Sequence, residues 1–169
     1  MNLDRLNGLS AGEFTATLGG IFEHSPWVAE RSAAARPFAD VDALHRAMCR
    51  VVATAGEAEQ LALIRAHPEL AGRAAIRGEL TAASRSEQAG AGLDQCSADE
   101  YAELQALNSA YNERFGFPFI LAVRGHTRHS IIAAMRARLD NARDAEIAEA
   151  LRQIERIARF RLDDMFGTA

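Results

Sequence analysis

The chain has 169 residues, with 19 basic against 23 acidic side chains and a formal net charge of −4; 49% of it is hydrophobic and 25% charged. That is one domain's length with enough apolar surface for a sizeable core, so wholesale disorder is excluded. The weakly acidic balance has no basic stripe and no apolar run near the roughly 18 residues of a membrane span, which argues against nucleic-acid and membrane partners.

Every basic residue is arginine; no lysine occurs. A Schiff base on a side-chain amine, to pyridoxal phosphate or to substrate, is therefore impossible, and so is a phosphate-binding loop of the Walker type. Cys49 and Cys96 are far apart and form no CxxC pair, which suggests neither a thiolate metal site nor a disulfide framework. The first residues, MNLDRLNGLSAGEF, lack an apolar signal core, and the last, MFGTA, do not match the peroxisomal Ser-Lys-Leu address. A cytoplasmic location is expected.

Alanine supplies about a fifth of the residues, which favours helix because alanine loses no side-chain entropy there. Start signals recur along the chain: Ser10 with Glu13, Ser25 before Pro26, Asp40, Ser84 with Glu87, Ser97 with Glu100, Thr127 and Asp144. Gly19-Gly20, Arg36-Pro37, Gly56, Pro68 and Gly116 supply stops. Helices are expected at about 11–19, 26–35, 41–55, 57–66, 85–91, 98–115, 128–140 and 145–166. The fold class is all-α, a single-domain bundle of about eight helices spanning residues 1–169. The stretch 71–97 reads as a long functional loop with a short helix inside it. Phe117 to Val123, FPFILAV, is apolar throughout and holds Pro118, and reads as an extended buried segment.

Several residues carry chemistry. His67 precedes Pro68, which disfavours helical dihedrals at the histidine and fixes its ring at a helix-to-loop corner. There it can exchange protons near neutral pH, or simply cap the helix. The segment Ser84, Arg85, Ser86, Glu87, Gln88 has capping-box spacing at Ser84 and Glu87, and a helix start also suits an anionic or hydrogen-bonding ligand. In the last helix Ile147, Leu151, Ile154, Ala158, Arg161 and Met165 follow core-seam spacing, so Arg161 lies where the core should be. A buried guanidinium must snorkel, face an anion or carbonyl in a cavity, or hold a salt bridge. Snorkelling and a ligand cavity both stand ahead of a salt bridge, and stability is expected to survive Arg161→Met. His126 and His129 are spaced as a weak metal pair without an evident third ligand, and Cys49 reads as a small buried apolar group.

Five blocks in order, FEHSPWVAER (22–31), HPELAG (67–72), SRSEQAGAGLD (84–94), LNSAYNERFGFPFILAVRG (107–125) and IARFRLDDMF (157–166), resemble the 2-oxo-4-hydroxy-4-carboxy-5-ureidoimidazoline (OHCU) decarboxylase family of purine breakdown. The resemblance implies an all-α lyase without cofactor or metal that forms (S)-allantoin from OHCU. It implies His67 as catalytic, to which the substrate chemistry adds Glu87 as an orienting or substrate-engaging group, with substrate contacts from Pro68, Ser84, Arg85, Ser86, Glu87, Gln88, the run Phe119, Ile120, Leu121, Ala122 and Val123, and Arg161. It further implies the stand-alone decarboxylase form, the small-molecule substrate and product as partners, and room for a homodimer. Two rival readings stand beside it: a non-catalytic helical interaction module, and a metal-dependent hydrolase using His126 and His129.

Overall fold

The computed structural model describes residues 1–168, and among them every regular element is helical. In chain order they are α1 (Leu3–Asn7), α2 (Ala11–Leu18), α3 (Trp27–Ser32), α4 (Val41–Thr54), α5 (Glu57–Arg65), α6 (Arg73–Ile76), α7 (Ala82–Gly90), α8 (Ala98–Phe115), α9 (Arg128–Arg138) and α10 (Arg143–Phe166), with 3-10 turns at Ala33–Ala35 and Leu93–Gln95. No described helix is long and apolar enough to cross a membrane.

The local chemistry explains most starts. Ser10 and Ser97 accept from the amides of Glu13 and Glu100, whose carboxylates return to the cap amides, two complete capping boxes. Asp40 and Thr127 cap α4 and α9 in the expected way. Three expected starts are corrected. The hydroxyl of Ser25 donates to the Glu23 carbonyl at 2.9 Å and caps nothing. Thr81 caps α7 by accepting from the Ser84 amide, so Ser84 sits in the first turn and Ser84–Glu87 is no capping box. Asp144 lies inside the first turn of α10. The expected loop over 71–97 consists largely of α6, α7 and a 3-10 turn. Gly116 ends α8 in the left-handed region, φ 78°, where glycine carries no Cβ penalty.

Contacts divide the chain into two compact units: Met1–Ala66 with the chain from Ile154 onward, and His67–Gln153. In the first, α3 packs on α2 and α4. Phe14, Leu18, Phe22, Val28, Leu44, Met48, Val52, Ile154, Ala158 and Leu162 are buried there. At the surface of this unit Arg31 pairs with Glu59 at 2.6 Å, and Arg159 bridges Asp163 and Asp42. In the second, α8 packs on α9, and an aromatic cluster of Tyr111, Phe115, Phe117 and Phe119 forms much of the core; Tyr111 meets Phe119 edge-on at 5.4 Å.

The buried positions of α10 run Glu146, Ala150, Gln153 and Ile154, Ile157 and Ala158, Arg161 and Leu162. The expected seam holds at Ile154, Ala158 and Arg161 and drifts at its ends, where Ile147, Leu151 and Met165 are half-buried. Glu146 and Gln153 take the inward places instead.

Candidate active site

α5 ends at Arg65, Ala66 caps it, and His67 follows as a buried corner residue. The proline-imposed break is where the sequence puts it. Four amide side chains then hold the turn after the histidine. Gln88 accepts from the Ala71 amide at 2.9 Å and donates to the Glu69 carbonyl. Asn108 donates to the Leu70 carbonyl at 2.9 Å, Gln105 to the Ala71 carbonyl at 2.6 Å, and Asn112 to the Glu69 carboxylate. Ala71 is held at φ +51°, a left-handed conformation that costs an alanine roughly 1–2 kcal/mol. The surrounding bonds over-determine that turn, as they must for such strain to persist.

The five residues of the SRSEQ segment divide between two faces of α7. Ser84 and Gln88 are buried and Glu87 is half-buried, while Arg85 and Ser86 are exposed. Arg85 turns back to the carbonyls of Gly78 and Leu80. The structure therefore brings Gln88 to the His67 corner and turns Arg85 and Ser86 outward. A cavity of about 630 Å³ opens beside α7, reached by Arg85, Gln88, Asp94, Cys96 and Tyr101 among mostly apolar residues; its lining includes no histidine.

The segment Phe117–Val123 belongs to neither helix nor strand and is buried throughout its apolar residues. Ile120 gives its carbonyl to Arg138 and Ala122 its amide to Gln153, at 2.6 and 3.0 Å. Both peptide groups of Leu121 make no hydrogen bond within this unit. Buried backbone groups are nearly always paired, so an apolar segment with open peptide groups suits a polar small molecule.

Arg161 is in the other unit, buried, with Nη1 at 2.7 Å from the Glu23 carboxylate and 3.2 Å from the Gly20 carbonyl. It does not snorkel. His126 contacts the Ser130 hydroxyl at 3.0 Å, and His129 is largely exposed near Glu100. Among the described residues no group of three or more His, Cys, Asp or Glu side chains is arranged to hold a metal ion. Cys49 is partly buried against His45, and desolvation is the main cause pushing its thiol up to about 12.

Sequence reasoning missed the amides of α8 and the polar group of half-buried Arg138 with buried Glu146 and Gln153. A usable signal existed for some of them. Leu104, Asn108, Tyr111 and Phe115 step by four, three and four and are all buried, so Asn108 is a polar residue on a core seam in the same sense as Arg161.

The family model for OHCU decarboxylase matches residues 7–163. The 2-oxo-4-hydroxy-4-carboxy-5-ureidoimidazoline decarboxylase of Haloferax volcanii is 44% identical over 168 residues, 99% of this chain and 98% of that protein. A uric acid degradation bifunctional protein of Bacillus subtilis is 47% identical over 163 residues, which are 96% of this chain and 32% of that longer protein. Among solved structures, an (S)-allantoin synthase at 30% identity matches with a TM-score of 0.78 over 98% of this chain and 54% of that one.

Proposed function

The chain belongs to the OHCU decarboxylase family, and from that premise we propose how its residues divide the work of a carboxy-lyase that converts OHCU to (S)-allantoin and carbon dioxide. In the substrate the leaving carboxylate is on C4, next to the C5 imine carbon. Breaking the C4–carboxylate bond releases carbon dioxide and moves its electron pair into a C4–C5 double bond, while the imine electrons take a proton at nitrogen. The enol so formed loses its hydroxyl proton and gains one at C5 on a single face, which sets the S configuration. One proton is consumed overall. The ring itself is the electron sink, so the protein has to supply a positioned acid and hydrogen-bonding groups.

His67 is the proton donor in this reading. The observation that carries it is the corner itself: a buried histidine on a turn fixed by Gln88, Gln105, Asn108 and Asn112. A group that must deliver a proton within hydrogen-bond reach benefits from such fixing more than a helix cap does. Glu87, partly accessible on the inward side of α7, engages the substrate hydroxyl or ureido nitrogens or orients His67, with Ser84 beside it. Pro68 walls the corner. The peptide groups within Phe119 to Val123 pair with the ureido arm. Arg85 and Ser86 are the exposed members of the same substrate-contacting segment.

The test is to generate OHCU enzymatically and follow the optical activity of the allantoin formed. His67→Asn should keep the fold and lower turnover by about two to four powers of ten, the range of a lost general acid. His126→Ala should leave turnover near normal. Near-normal turnover of the His67 variant would make the histidine a cap and end the assignment.

A further inference from the structure

The run around Leu121 has no strand beside it, yet one of its edges is occupied. In an extended chain the N–H and C=O of one residue point to one edge and those of the next residue to the other. Ile120 and Ala122 thus share an edge, and two side chains fill it: Arg138 Nη1 donates to the Ile120 carbonyl, and Gln153 Oε1 accepts the Ala122 amide. These side chains stand where a neighbouring strand would be. The opposite edge carries the two open peptide groups of Leu121.

Everything behind Arg138 serves to fix it. Its Nε donates to Glu146 at 2.8 Å, and its guanidinium lies 4.3 Å from the centre of the Phe119 ring. Glu146 is fully buried and also accepts from the Tyr111 hydroxyl at 2.5 Å and from Asn141 at 3.1 Å. Gln153 is anchored in turn by donating to Glu149 at 2.8 Å. The remaining terminal nitrogen of Arg138, Nη2, is buried without a partner. An unmet charged donor is a cost to stability, so the arrangement's benefit lies in the geometry it imposes.

We propose that Arg138 and Gln153 are positioning residues for decarboxylation: by occupying one edge of the 119–123 run they aim the Leu121 peptide groups at the ureido arm of the substrate. This rests on the reading above that the run contacts substrate. Neither side chain touches the reacting atoms.

The experiment uses the double variant Arg138→Met with Glu146→Gln, which strands no charge and leaves an acceptor for Tyr111 and Asn141. Gln153→Met is the second arm and decides alone if the double variant fails to fold. Each is compared with wild type for kcat, for KM with enzymatically generated OHCU, and for (S)-allantoin binding followed at the Leu121 amide by NMR. KM and the allantoin dissociation constant should rise about tenfold or more, while kcat falls by less than about threefold and the folded fraction stays complete. Folded variants with unchanged KM and allantoin affinity overturn the proposal, as does a loss of kcat alone in proportion to unfolded protein. If allantoin leaves the Leu121 amide of the wild type unmoved, the underlying substrate contact is wrong; if it moves that amide equally in wild type and variants, only the positioning role falls.

Discussion

Replacing Arg161 by methionine should destabilise the protein. The guanidinium and the Glu23 carboxylate are 2.7 Å apart, with 7% and 2% of their side chains exposed. At an effective dielectric of about 20, two unit charges at that separation attract by about 6 kcal/mol. Recovering the desolvation of the arginine returns part of this, and breaking one partner of a buried pair costs about 3–5 kcal/mol because the other charge is stranded. For a chain of this size that is a fall in melting temperature of roughly 6–20 °C. Taken alone, an arginine on an apolar seam points to a ligand and to stability retained. The buried carboxylate reverses that expectation. Thermal unfolding of Arg161→Met, Glu23→Gln and the double variant measures the coupling, and the double variant should regain most of the loss. A single variant that melts within 2–3 °C of wild type refutes the reasoning. Allantoin binding in the double variant, measured separately, decides whether Arg161 also touches substrate.

Gln88→Leu strands the Ala71 amide, a buried donor, and should cost about 1–3 kcal/mol together with a drop in turnover as the His67 corner loosens; an unchanged melting temperature would show that the latch is not needed. Glu100 provides a pH test. The backbone amide of Ser97, followed by Arg128, holds its carboxyl down at about 2, so the folded form binds its proton later than the unfolded chain does. The stability it contributes is present above the ordinary carboxylate range and is lost as pH falls towards 2. Glu100→Gln should therefore flatten the acid limb of the stability curve between about pH 4 and pH 2; an identical limb in the variant removes Glu100 from that account.

What the sequence made legible was what depends on neighbours three or four residues away. Ser10, Asp40, Ser97 and Thr127 were readable as caps because donor and acceptor are local. The same rule misled at Ser84, because Thr81 offers an equally spaced hydroxyl one turn earlier and the chain uses that one. Helices of four and five residues, α6 and α1, carry too little periodicity to be seen. His67 was readable through Pro68, and the 117–123 run through its unbroken apolarity. Its hidden half was not: Arg138 and Gln153 are 18 and 31 residues from the groups they bind. Glu23 is 138 residues from Arg161, and only the fold pairs them.

The Ala71 amide gives its proton to a side chain rather than to a helix or ladder. Its exchange with deuterated solvent thus depends on release of the Gln88 carboxamide and not on the unravelling of any helix. A single backbone hydrogen then reports how often the histidine corner opens in the native protein, on a clock independent of turnover.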